Sequence, residues 1–260
     1  MARLKLDIPA LFGSLFAFLA LWWLAAWWGN DPSVLPSPAE VWRIFHRELA
    51  SGELQHHFVA TLLRVLVAFC LAMGIGCVLG IAMGANARIN RWLSTWVMLL
   101  QNIPALVVIV LCYLWIGLNE VAAIAAVALN KTAMVAVSLR EGMQALDPKV
   151  REMAQVFGMK PLARLRFVIL PQLWPYIAAS IRNGLAIIWK IVLVVEFLGR
   201  SNGIGFQLHL YFQLFETAYV IAYALSFVSF MLLLEVTLIR GIEAYATRWR
   251  GAADTSEKRA

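Results

Sequence analysis

The stretch "REMAQVFGMKPLARLRFVILPQ", residues 151–172, decides how this chain is read. It lies between two apolar runs, yet it carries Arg151, Glu152, Lys160, Arg164 and Arg166. Asp147 can cap a helix that opens on Pro148. Val150, Met153, Ala154 and Phe157 then recur at helical spacing and form one apolar face. Gly158 ends that helix, because glycine takes the left-handed conformation past a helix end without steric cost. Pro161 can open a second helix, with Leu162, Leu165 and Ile169 as its stripe. Pro171 is expected to stop it, and Pro175 to precede the next apolar span. The reading is two short amphipathic helices hinged at a glycine. Each is too short to cross a bilayer, so the pair either lies on the membrane surface or fits a groove on another protein.

The surroundings are far more apolar. Of 260 residues, 62% are hydrophobic and 14% charged, against about a quarter charged in soluble domains. Runs of about 20 apolar residues recur, and the alternation of a β-barrel is absent. The fold class is all-α, a polytopic membrane protein with six transmembrane helices. The spans fall at about 8–28, 58–83, 93–116, 120–139, 176–198 and 218–239, in one transmembrane domain over 1–260. A proline-rich link, "GNDPSVLPSPAE", and an amphipathic piece from Val41 to His57 separate the first two. A polar loop covers 140–175, and "GAADTSEKRA", 251–260, reads as a frayed tail. The first span is long and lacks a small-residue cleavage site, so it is expected to be retained.

Lysine and arginine set the orientation. With the N-terminus inside, the inner segments hold Arg3, Lys5, Arg88, Arg91, the 140–166 cluster and the basic residues from Arg240 onward. The outer segments hold only Arg43, Arg47 and Arg200. Both termini and the 151–172 stretch are therefore expected on the cytoplasmic side. The net charge of +7 gathers at span ends with no interleaved aromatic face, so nucleic acid is not expected as a partner.

Within the spans, Ala72, Gly76, Gly80 and Gly84 fall four residues apart, a stripe that lets two backbones approach closely. Pro104, in "QNIPA", frees a backbone carbonyl, and Gln101 and Asn102 beside it are costly in lipid; this span should face protein or a water-filled path. Lys131, Lys190 and Glu196 are ionisable groups at membrane depth and hence candidates for a solute path. Alternatively Lys190 and Glu196 neutralise neighbouring helices, and Lys131 pairs with Glu196 or Glu120. Arg64 and Arg182 lie closer to span ends and read as snorkelling or structurally paired. Cys70, Cys77 and Cys112 read as small buried hydrophobes, and His46, His56, His57 and His209 as surface residues. No set of residues at metal-ligand spacing is found, so no metal is expected.

"EMAQVFGMKPLARLRFVILP" resembles the EAA loop of ABC-importer permeases. Glu152, Ala154, Gly158, Leu170 and Pro171 match that pattern at the right spacing, with Met153 for an alanine and Val168 for an isoleucine. "LPSPAEV", "LRVLVAFCLAMGIGCVLGIAMG" and "SNGIG" are similar to the nitrate/sulfonate/taurine-type branch, over nearly all of residues 30–250. "QNIPALVVIVLCYLWIGLNE" departs from it, with fewer prolines near Pro104. The resemblance implies a type I ABC-importer permease fold. It makes residues 151–172 the coupling helices that dock on a cytoplasmic ATPase, with Glu152 as polar anchor and Gly158 as the turn. It also implies a homodimer, two ATPase subunits and a periplasmic or lipid-anchored substrate-binding protein at a bacterial inner membrane. "GRSNGIGFQLHLYFQLFE", with Gly199, Gly203 and Gly205 as turns and a short interfacial helix, would then help to gate the pore.

No catalytic residue is expected. HExxH, GxSxG, paired intramembrane aspartates and GxxxxGK[ST] are all absent, so a membrane enzyme is disfavoured and ATP cannot bind by a P-loop here. The chain is expected to carry no cofactor; Mg-ATP would be bound by the partner ATPase. The expected solute is a small anion such as a sulfonate, taurine or nitrate. A vitamin precursor or aromatic acid is the alternative, and a passive channel the more distant one.

Overall fold

A computed structural model describes residues 8–234. The tail 251–260, the end of the sixth span and the basic residues Arg3, Lys5 and Arg240 onward lie outside the described residues. In order, the helices are α1 (Ile8–Gly29), α2 (Pro38–Ser51), α3 (Glu53–Ala85), α4 (Ala87–Asn102), α5 (Ala105–Ile116) and α6 (Glu120–Gln144). Then come α7 (Pro148–Val156), α8 (Pro161–Arg164), a π turn (Leu165–Ile169), α9 (Leu170–Gly199), α10 (Ile204–Gln213) and α11 (Thr217–Leu234).

α3, α6, the continuous α8–α9 helix and α11 are each long and apolar enough to cross a membrane. The described side chains of α1, Gly13–Gly29, form a shorter apolar helix. Span three is corrected. It is not one helix over 93–116 but a pair, α4 and α5, bent by 99° at Ile103 and Pro104. Pro104 has no amide to donate and disfavours helical geometry at the residue before it, and Ile103 is extended (φ -71°, ψ 125°), so the chain turns there. Asn102 adds to the break by donating from Nδ2 to the Met98 carbonyl at 2.8 Å.

The bundle is built on α3 against α6, and the small-residue stripe is the reason. A methyl group on Gly76 would lie 2.6 Å from Val135 Cβ, and one on Gly80 2.6 Å from Leu139 Cβ. Gly84 faces Met143 and Arg140 in the same way. The two helices run parallel, so α4 and α5 must carry the chain back between them. α9 packs on both, and Ala68, Ala72, Ala123, Ala126, Trp189 and Val192 share one buried core.

At the loop end, the sequence reading is again corrected. Pro171 does not stop a helix, and Pro175 sits inside α9. The π turn just before Pro171 is the cause: the Leu170 amide reaches the Leu165 carbonyl, five residues back. That wide turn makes room for the pyrrolidine ring, which would otherwise clash with the carbonyl four residues earlier. The amphipathic 41–57 piece also divides, since Gly52 adopts φ +87° and α3 starts at Glu53. Cys112 is buried, but Cys70 is exposed and Cys77 partly so. Cys77 packs at the edge of the core formed by Val135, Leu139 and Leu173.

Candidate functional site

Two ends of the bundle carry organised polar chemistry. At one end lies the loop between α6 and α9. Asp147 caps α7, accepting from the Lys149 amide at 2.9 Å. α7 ends in a two-bond cap: the Met159 amide donates to Ala154 O at 3.0 Å and the Gly158 amide to Gln155 O at 2.9 Å. That pairing needs a left-handed residue at Gly158, which has φ +63°. Gln172 ties the loop back, its Oε1 accepting from the Asp147 amide at 3.2 Å.

The stripe predicted for α7 is divided in its contacts. Ala154 is fully buried and Val150 half-buried, while Met153, Val156 and Phe157 are exposed. Leu162 and Phe167 are exposed as well, at 77% and 66%. Glu152 lies on the exposed surface of α7, and Leu170 and Pro171 follow the π turn at the base of α9. The loop thus has a fixed backbone and a bare apolar surface.

At the opposite end, Arg64 of α3 is 5% exposed and uses every donor of its guanidinium. Nε and Nη2 hold the Glu120 carboxylate at 2.8 and 2.6 Å. Nη1 donates to Glu196 Oε1 at 2.6 Å and to Asn202 O at 2.9 Å, and Nη2 also bonds Asn202 Oδ1. Arg200 donates to the same Glu120 at 2.6 Å. Two guanidinium groups and two carboxylates therefore neutralise one another where α3, α6 and α9 meet.

This cluster also holds the start of α10. The amides that open a helix have no partner within it. Here the Gly203 amide donates to His57 Nδ1 at 3.0 Å, the Ile204 amide to Thr61 Oγ1 at 2.9 Å and the Gly205 amide to Glu196 Oε2 at 2.9 Å. Gly203 has φ +110°, and a side chain there would strike the Glu196 carboxylate. Gly205 packs on the Leu193 carbonyl, again with no room for a methyl.

The ionisable residues read from the sequence are sorted by this arrangement. Glu196 is fully buried and pairs with Arg64, not with Lys131 or Lys190. Glu120 pairs with Arg64 and Arg200, not with Lys131. Lys131 is 6% exposed, and its only polar contact among the described residues is Met134 Sδ at 3.8 Å. Lys190 is exposed on α9, and Gln101 and Asn102 are exposed at the α4–α5 break. His57 is buried rather than a surface residue, because the α10 amide and Gln207 enclose it. Among the described residues no group of three or more His, Cys, Asp or Glu could hold a metal ion. His57, Thr61 and Asn202 escaped the sequence reading; the signal was a buried arginine in a span, whose partners had to lie on other helices.

A family model for binding-protein-dependent transport system inner membrane components matches residues 72–249. The chain belongs to that family. The permease is 30% identical over 235 residues to the putative aliphatic sulfonates transport permease protein SsuC of Bacillus subtilis, covering 90% of this chain and 85% of that one. It is 28% identical over 254 residues to the taurine transport system permease protein TauC of Escherichia coli, covering 95% and 92%. In fold, the permease is similar to a chain from the crystal structure of an amino acid ABC transporter with histidines. The TM-score is 0.63 at 21% identity, covering 78% of this chain and 97% of the other. The protein is thus a multi-pass membrane component of the binding-protein-dependent ABC importer type.

Proposed function

We propose that this permease moves a small anion inward by alternating access, driven by ATP hydrolysis in a separate cytoplasmic ATPase. One observation carries the coupling. Two short helices joined by a two-bond glycine cap present Met153, Val156, Phe157, Leu162 and Phe167 to solvent at one end of the bundle. Exposed apolar surface of this kind marks a protein interface. A capped hinge keeps its shape when pushed, as a transmitting element must.

The distribution of basic segments supports a cytoplasmic position for this loop and for both termini at a bacterial inner membrane. The partners are a second copy of the chain, two ATPase subunits that bind Mg-ATP, and a periplasmic or lipid-anchored binding protein. Glu152, Ala154, Gly158, Leu170 and Pro171 form the coupling element. Lys131 and Lys190 favour an anionic solute, a reading supported by relatives named for sulfonates and taurine. Gln101 and Asn102 flank the same path at the helix break. Glu196 acts next to it, through the cluster that holds α10 in place.

Co-purification with the ATPase encoded beside it tests the coupling. Wild type should retain ATPase, and a Phe157→Asp/Leu162→Asp variant that still reaches the membrane should lose it. Equal retention by both would remove the loop as the principal dock, and retention by neither would favour a channel that needs no ATPase.

A further inference from the structure

A pocket of about 180 Å³ opens between the end of α1 and the start of α2. Trp23, Trp27 and Asn30 line its α1 side, and Leu35, Ser37 and Glu40 its α2 side. The frame is fixed at two points. Trp22 Nε1 donates to Pro36 O at 3.1 Å, and Thr217 Oγ1 donates to Ser33 O at 2.6 Å. Glu40 is the one charged residue in the lining. Ser37 Oγ accepts from the Glu40 amide at 3.3 Å, but the Glu40 carboxylate does not reach back to the Ser37 amide as a capping box requires. Arg43, one turn further on, does not pair with it either, so this carboxylate has no ion-pair partner among the described residues. About 22 Å of α1 separates Trp23 from Ile8, and about 25 Å of α11 separates Thr217 from Leu234. The pocket therefore lies at the opposite end of both helices from the limits of the described chain.

Indole faces are electron-rich and attract cations, more strongly than any other side-chain ring. Two tryptophans beside an unpaired carboxylate select an organic ammonium; an anion gains nothing from the ring faces and is repelled by Glu40. The volume is below the roughly 300 Å³ at which sites for drug-sized molecules begin, so the pocket takes a headgroup and not a whole ligand. A tail has its own place. Phe16 and Leu19 continue the row of Trp23 and Trp27 along α1 and are 75% and 48% exposed, an apolar track leading away from the pocket. Tryptophan in turn favours the level of lipid headgroups. We propose that the pocket binds the ammonium headgroup of a phospholipid. Glu40 is its counter-ion, Trp23 and Trp27 form the aromatic wall, and Phe16 and Leu19 lie against an acyl chain. The site is separate from the coupling loop and from the solute path, and requires only that the chain is embedded in a bilayer.

The test is native mass spectrometry of the delipidated full chain in detergent. It is titrated separately with dioleoyl phosphatidylethanolamine and with dioleoyl phosphatidylglycerol, which has the same tails and no ammonium. Wild type should bind phosphatidylethanolamine saturably. Glu40→Gln should weaken that binding about five-fold, as for one partly exposed ion pair, and Glu40→Asp should keep most of it. Trp23→Leu/Trp27→Leu, which preserves apolar bulk, should weaken it by about ten-fold. Phosphatidylglycerol binding should not change in any variant, and the melting temperatures should match wild type, since these side chains are not in the core. Phosphatidylethanolamine binding that is equal in wild type, Glu40→Gln and the double variant would overturn the site, as would an equal loss of phosphatidylglycerol. Glycerophosphoethanolamine, the same head without tails, should not displace the lipid at equal concentration. Displacement would make the ligand a soluble ammonium and overturn the lipid assignment.

Discussion

Arg64 Nη1 and Glu196 Oε1 lie 2.6 Å apart, and both side chains are almost completely shielded from solvent. Replacing one partner strands the other as a buried, unpaired charge. Arg64→Met should therefore destabilise the protein by about 3–5 kcal/mol. Arg64→Met/Glu196→Gln, which removes both charges, should recover a large part of that loss. Thermal unfolding in detergent, followed on wild type and both variants, checks the order.

The α3–α6 contact makes a sharper contrast. Gly80→Ala forces a methyl against Leu139 and the Ala136 carbonyl and should cost about 1–3 kcal/mol. Gly74→Ala, six residues earlier on the same helix, meets nothing within 4 Å and should stabilise by about 0.5–1 kcal/mol through helix propensity. Melting temperatures that move the same way for both would contradict the packing described.

Gly203 combines a left-handed backbone with contact on the Glu196 carboxylate. Gly203→Ala should detach the start of α10 from α3 and α9 while leaving the α3–α6 pair assembled. Amide hydrogen exchange over 203–213 should quicken by about ten-fold or more, with exchange in 122–136 unchanged. Uniform quickening along the chain would mean that α10 is not a separately held element.

At the other end, Gly158→Ala meets no atom within 4 Å but keeps a positive φ. The cost should be about 1–2 kcal/mol, confined to the loop. ATP-driven uptake should fall while the melting temperature of the bundle stays put. An equal fall in both would place the effect in the fold instead of the coupling.

Lys131→Met should reduce uptake on the order of ten-fold, equivalent to about 1.4 kcal/mol in the rate-limiting step. The complex should remain assembled and its ATPase active. Undiminished transport of a sulfonate would remove Lys131 from the path.

Much of this architecture was legible because its causes are local. The four-residue spacing of Ala72, Gly76, Gly80 and Gly84 announces a close helix pair, and Asp147, Pro148 and Gly158 announce both ends of α7. What escaped depends on distant groups. Pro171 looked like a stop, since nothing in the sequence marks the π turn that accommodates it. Arg64 and Glu196 are 132 residues apart, and pairing across such a separation leaves no periodic trace. His57 looked like any polar residue near a span end until the α10 amides came to face it.

The π turn has a mechanical consequence. Because the helix does not end at Pro171, Pro161–Gly199 runs unbroken for 39 residues, a contour of roughly 58 Å at 1.5 Å per residue. A bilayer with its headgroups is only about 40–45 Å thick. The same helix is thus longer than a bilayer is thick, and it carries Glu196, three residues from its finish, at the end of the bundle opposite the loop. Over that length a tilt of one degree displaces an end by about 1 Å. A small push on the loop would reach the clamp on α10 along this one helix, whose only irregularity among the described residues is the π turn at Leu165–Ile169.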